Sequence, residues 1–205
     1  MSVPSATPEV ELRSVPCPRL SRWQCVCMVL LSLLAPLNQN ARTADEPETT
    51  AREYDVKAFI LVKLLPFVEW PARAFAEPDA PLVIGVVGKN PFEDILTQAA
   101  RGQTVKGRRI EVRYFKEDED LGTCQVVFLT RSVTAQTENI LRRLRGQPVL
   151  TVSDQDNFAQ HGGTVGLILM DQKVGMEFNL DSARAAELKL SSQLLRTARA
   201  VIKSR

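Results

Sequence analysis

Few residues of this chain combine the types and spacing that chemistry needs. Ser153, Asp154 and His161 are the kinds of side chain a hydrolase relay uses. No Gly-x-Ser-x-Gly elbow exposes the serine, however, and neighbouring Ser153 and Asp154 point in different directions, so the set does not assemble a triad. His161 is the single histidine in 205 residues, which removes multi-histidine metal sites. It reads as a loop residue before Gly162-Gly163. Those glycines lead into a strand, not a helix, and so mark a turn or bulge, not a pyrophosphate cradle. The stretch Gly85–Asn90 joins a strand to a helix. It has two residues between its glycines where a phosphate loop has four, and Asn after Lys where that loop has Ser or Thr. It still lies at a carboxyl end of the sheet, where small ligands dock in open α/β folds. Gly88 and Asn90 there, with Ser153 and Asp154 after a later strand, are the candidate ligand contacts.

The remaining polar groups are plainer. Asp154-Gln155-Asp156-Asn157 opens like a calcium loop but lacks the third ligand, the glycine at the sixth position and the closing glutamate. Asp154 is expected to cap a short helix containing Phe158. The acid run Glu117–Asp120 reads as a solvated loop between strands. No carboxylate pair, metal cluster or nucleophile–base pair survives, so no catalytic residue, metal ligand or cofactor site is assigned. The residues by themselves point to a binding or interaction domain.

The elements that position these groups alternate. A helical pattern begins near residue 54, with Val56, Phe59, Ile60, Leu64, Phe67 and Val68 on one face; Ala58, Leu61, Val62 and Leu65 make it apolar nearly all round. Such a helix is buried or covers a partner. Trp70, before Pro71, is a packing anchor or an interface anchor. Leu82–Val87 is a continuous apolar strand of the kind buried on both faces of a parallel sheet. Pro91 opens a helix running to Ala100. Strands follow at Ile110–Phe115 and Cys124–Leu129, then a helix from about Val133 to Arg145 and a strand at Val149–Val152. Thr164–Met170 and Val174–Phe178 form an antiparallel hairpin. Asp181 is expected to cap a short helix, and the spacing of Leu194, Leu195, Ala198, Val201 and Ile202 predicts a terminal helix. The pattern predicts a single-domain α/β three-layer sandwich with a mostly parallel sheet, a C-terminal antiparallel hairpin and flanking helices over 54–203.

Residues 1–44 differ from the rest. Arg13, Arg19 and Arg22 precede an apolar run from Trp23 to Leu37, the pattern of a secretory signal and shorter than a membrane span. A cleaved signal is the first reading and an uncleaved N-terminal anchor the second; both send the body across the membrane. Polar residues 45–53 read as a linker. The signal holds Arg13, Arg19, Arg22 and Arg42 against Glu9 and Glu11, so the formal charge of +2 resides there and the body is neutral. A nucleic-acid coat is thereby disfavoured. Of the four cysteines, Cys17, Cys25 and Cys27 fall in the signal. Cys124 alone is exported, so no intramolecular disulfide forms, and its place at the head of an apolar strand predicts a buried thiol.

Taken in order, several stretches carry a resemblance. They include Lys57-Ala58-Phe59-Ile60, Phe67-Val68-Glu69-Trp70-Pro71 and Ile84-Gly85-Val86-Val87-Gly88 with Asn90-Pro91-Phe92. Cys124–Leu129 before Arg131-Ser132, Val149–Asp154, Phe178-Asn179-Leu180 and Leu190–Leu195 continue it. Over about 54–200 the chain resembles the YfiR family of periplasmic regulators. The resemblance implies a small α/β protein that tends to dimerise. It also implies repression of an inner-membrane diguanylate cyclase through that enzyme's periplasmic sensor region, with release by an outer-membrane-associated lipoprotein. Other members sit beside sensor kinases or outer-membrane transporters. The family's disulfide control does not carry over, because Cys124 matches one family cysteine and has no exported partner.

Two uses of the domain follow. As an inhibitory protein ligand, its expected contact surface is Phe178, Leu180, Leu188, Leu190, Leu194 and Leu195, with Phe67 and Trp70 as second-tier contacts; the alternative for most of these is a place in the core. Leu188 is expected on the exposed face. As a small-molecule binder, it would use Gly88, Asn90, Ser153 and Asp154.

Overall fold

The computed structural model describes residues 46–171 and 173–203. The expectations for the export signal, its cleavage and its cysteines lie outside the described residues. Helix α1 spans Glu46–Leu64 and so takes in 46–53 of the stretch 45–53 expected as a linker. A 3-10 turn, Leu65–Phe67, starts where Pro66 withholds its N–H, and the two-residue strand β1, Val68–Glu69, follows.

The main sheet begins with β2, Leu82–Val87, every residue of which is buried. After helix α2, Ile95–Ala100, come β3, Thr104–Val105, and β4, Arg108–Phe115. Strand β5 is Val126–Leu129. A 3-10 turn, Arg131–Gln136, then bends into helix α3, Thr137–Leu144, and β6 is Leu150–Ser153. Strands β7, Val165–Met170, and β8, Lys173–Asn179, make the expected hairpin, followed by α4, Leu180–Ala185, and β9, Lys189–Leu190. Helix α5, Ser192–Leu195, and β10, Ala200–Ile202, end the described chain.

Eight strands form one sheet in the order β10-β8-β7-β6-β5-β2-β4-β3. The run β4-β2-β5-β6-β7 is parallel, and β7 with β8 and β3 with β4 are antiparallel. Side-chain alternation divides the core between two faces. Leu82, Ile84, Val86, Val126, Phe128, Leu150 and Val152 face α1 and α2. Val83, Val87, Val127 and Leu129 face α3, against Val133, Ile140 and Leu144. This is the expected three-layer sandwich. Burial of each such aliphatic side chain stabilises by about 1.5–3 kcal/mol.

Two local expectations fail for physical reasons, and a third element is refined. The terminal helix stops at Leu195, capped at its start by Ser191 Oγ, which accepts from the Leu194 N–H. Residues 200–202 instead add to the open edge of β8, parallel to it, in register Val201↔Phe178. Helix α4 is capped by Asn179, not Asp181: its Oδ1 accepts from the N–H groups of Asp181 and Ser182, both at 3.0 Å. The apolar surround of α1 divides, and of the face named from the sequence Leu64 and Val68 are buried while Val56 and Phe59 are not. Lys57, Ala58, Leu61, Val62, Leu64 and Leu65 are buried, whereas Val56 and Phe59 point outward at 46% and 56% exposure.

Candidate functional site

The carboxyl end of the parallel sheet is laced together by side chains. Thr130 Oγ1 donates to the Val87 carbonyl at 3.0 Å, and Ser132 Oγ accepts from the Lys89 N–H at 2.8 Å. Ser153 Oγ donates to the Leu129 carbonyl at 2.6 Å and Gln155 Nε2 to the Thr130 carbonyl at 2.8 Å. The end of β2 must therefore come close to the turn after β5. Gly88 permits this: its φ is +96°, and a Cβ there would sit 2.5 Å from both Thr130 Oγ1 and Ser132 Oγ. Ser153, fully buried and spent on the β5 backbone, is a strut and not a nucleophile.

Beneath this floor stands a buried carboxylate. Asp154 caps no helix. Its Oδ2 accepts from Lys57 Nζ at 2.6 Å and from the Tyr54 hydroxyl at 2.8 Å, and Arg131 Nε lies 3.4 Å away. Lys57, buried to 1% exposure on α1, also pairs with Glu53 one turn back. Asp154 Oδ1 is buried without a hydrogen-bond partner among the described residues. Burial, and then the bond to Asp154, hold the Tyr54 hydroxyl well above the usual phenol range. Tyr54 therefore stays a neutral donor, and α1 is fixed to the sheet by charge as well as by packing.

The floor and α1 enclose an open cleft of about 770 Å³. Lys89 and Asn90 enter from the end of β2, Thr130, Arg131 and Ser132 from the end of β5, and Tyr54 and Asp55 from α1. Of the residues expected to contact a ligand, Asn90 lines this cleft and Gly88 shapes its floor, while Ser153 and Asp154 support it from below. Sequence reasoning missed Tyr54, Lys57, Lys89 and Arg131. One available signal was Lys57 itself, a charge next to the apolar run Ala58–Val62 and three residues from Tyr54.

A second, apolar feature lies further along α1. Ile60, Lys63, Phe67, Met176, Gln193 and Leu194 line a groove of about 200 Å³. Phe59 and Val56 stand on the exposed side of the same helix. The expected contact residues divide here. Phe178, Leu188 and Leu194 are core residues at 0%, 4% and 4% exposure, so Leu188 is not on an exposed face. Leu180, Leu190, Leu195 and Phe67 are half-buried. Trp70 is also half-buried, its Nε1 donating to the Gln125 carbonyl at 3.0 Å, which fits the packing-anchor alternative. Cys124 is buried, and desolvation pushes its thiol up to about 11.

A protein-family model described as YfiR/HmsC-like matches residues 54–199. The chain belongs to this family. Two solved structures share 72% of the chain at low identity. One is a conserved domain protein from Vibrio cholerae O1 biovar El Tor, at 10% identity and TM-score 0.49. The other is the ABC domain from Streptococcus pneumoniae crystallised with L-Trp, at 12% identity and TM-score 0.48. The chain covers 60% of the length of each. YfiR/HmsC-like membership implies a periplasmic regulator of diguanylate cyclase signalling, a regulatory and not a catalytic family. Among the described residues no helix is long and apolar enough to cross a membrane, and no cluster of His, Cys, Asp and Glu is placed to hold a metal ion.

Proposed function

We propose that this protein represses an inner-membrane diguanylate cyclase. It does so by docking the outward face of α1 and the adjoining groove on the enzyme's periplasmic sensor region, which lowers cyclic-di-GMP in the cytoplasm. One observation carries the reading. Phe59, 56% exposed, stands with Val56 on a helix whose opposite face is locked into the core, beside a groove lined by Ile60, Phe67 and Met176. A rigid helix presenting an aromatic anchor next to an apolar groove has the make-up of a protein-docking surface. Repression by such contact is a population shift: the protein binds the inactive conformation of the sensor more tightly than the active one.

The groove also changes what the expected contact residues do. Phe67 and Leu194 line its wall, whereas Phe178 and Leu188 are core and Leu190 and Leu195 pack against that core. The test is cyclic-di-GMP in cells lacking the gene and complemented with wild type or Phe59→Asp. The reading expects the messenger to rise on deletion, fall with wild type and stay high with a folded, exported Phe59→Asp protein. Equal complementation by the variant would count against the docking face, and an unchanged level on deletion would count against the repressor role.

A further inference from the structure

We propose that the cleft at the carboxyl end of the sheet binds a small molecule with a single oxyanion head, carboxylate or phosphate, held between Lys89 and Arg131. The topology places it. From β2 the chain moves outward to β4, then returns past β2 to β5 and continues through β6 to β7 in the other direction. The ends of β2 and β5 therefore flank the switch point of an open α/β sheet, where the backbone leaves a crevice that ligands fill. Its volume of about 770 Å³ suits a small ligand.

The charges select the class. Arg131 is held at Nε by the fully buried Asp154, its Nη2 lies 3.8 Å from the exposed Asp156, and its side chain remains 57% exposed. Lys89 is exposed and has no ion-pair partner among the described residues. These cations come from the two laced strand ends, so the protein fixes their backbones before a ligand arrives, which is what oriented oxyanion binding requires. Asp55 and Glu93 on the remaining rim repel a polyanion and restrict the site to one anionic head. Tyr54, Pro91 and Ile95 provide a partly apolar wall for a short uncharged body.

The site also reaches α1. Tyr54 and Arg131, both lining the cleft, share Asp154 Oδ2 with Lys57, while Oδ1 has no hydrogen-bond partner among the described residues. A ligand that draws on Arg131 thus acts on the group that seats α1. The consequence for repression rests on the reading of α1 as the docking helix; binding itself does not.

The experiment is calorimetric titration of the purified exported protein, without any partner, with phenyl phosphate and with phenylacetate at low ionic strength. The two probes share a body and differ in the head, so they separate phosphate from carboxylate chemistry. The proposal expects at least one to bind. It further expects Arg131→Gln and Lys89→Gln each to weaken that binding about tenfold or more, while Arg113→Gln, on the exposed outer part of β4, leaves it unchanged. Lys89 lies outside the Asp154 cluster and Arg131 only at its exposed edge; a melting curve on each variant separates lost binding from lost fold, and Lys89→Gln carries the test if Arg131→Gln is destabilised. No binding of either probe at millimolar concentration overturns the proposal, as does binding that neither cleft substitution weakens. A Phe59→Asp protein that fails to repress but still binds the probe would separate this site from the docking surface.

Discussion

Two stretches of chain, one in the middle of α1 and one running from its last turns into the 3-10 turn, meet the molecule differently. At residues 53–57 the helix is joined to the sheet by charge: Lys57 sits between Glu53 and Asp154, and Tyr54 donates to the same carboxylate. Six residues on, at 59–67, it meets an apolar groove and presents Phe59 to solvent. The first is paired by charge, with Asp154 Oδ1 alone left without a partner among the described residues, and the second leaves apolar surface exposed. A buried ion pair adds little net stability over an apolar substitute of the same shape, but it penalises misplacement heavily. Its effect here is to fix the rotation of α1, and that rotation decides which residues face outward. The polar stretch sets the address that the apolar stretch displays.

Breaking the polar stretch should give the largest effect. Lys57→Met leaves Asp154 with one cation fewer in a buried place and should cost about 3–5 kcal/mol, a melting-point drop of about 6–20 °C for a domain of this size. Adding Asp154→Leu should recover most of that loss. A double variant as unstable as the single one would mean that the cluster does not act through the buried charge. Next in size is Gly88→Ala, which forces a Cβ against Thr130 and Ser132 at positive φ; about 1–3 kcal/mol of destabilisation in urea is expected. A stability equal to wild type would show that the strand ends are not tightly laced.

Changes at the apolar stretch invert the pattern. Phe59→Asp should alter stability by no more than about 0.5 kcal/mol, as exposed substitutions do, yet abolish repression. Leu188→Asp is the contrasting control, since it places a carboxylate in the core and should prevent folding. A stably folded Leu188→Asp protein would contradict the burial on which the comparison stands.

The smallest effect belongs to Cys124. Burial raises its thiol from 9.0 to about 11, so the folded state disfavours the thiolate. Stability should be independent of this group below pH 9 and decline as pH rises towards 11. Alkylation of the native protein at neutral pH should be slow, and reductant should leave the melting temperature unchanged. Rapid labelling at pH 7 would reopen redox control through this residue.

Much of the fold was legible because its signals are local. The six buried residues of β2, the hairpin β7–β8 and the alternation of β4 read directly from residue type and period. What escaped depends on distant partners. Ala198, Val201 and Ile202 fit a helical face as well as a short strand, and only the free edge of β8 decides between them. The outward face of α1 was hidden because the run Ala58–Val62 is apolar on nearly every side, so its orientation depends on Asp154, about a hundred residues away. For the same reason Asp154 read as a cap: its partners Tyr54, Lys57 and Arg131 come from other elements. Gly88 and Asn90 were legible as ligand candidates because a strand end before a helix is a local feature, whereas Lys89 and Arg131 carry no motif and become a pair only when β2 and β5 lie side by side.

The central claim is that α1 displays the docking surface. Its most direct test is the dissociation constant between the purified exported protein and the periplasmic sensor region of the cognate membrane cyclase, measured for wild type, Phe59→Asp and Tyr114→Asp. Tyr114 is a matched control, 46% exposed on β4, its hydroxyl bonded to the Glu93 carbonyl and outside the lining of the α1 groove. Binding weakened by about 30-fold or more in Phe59→Asp, with Tyr114→Asp within about twofold of wild type, is the result the account predicts. Equal affinity of all three proteins would contradict it.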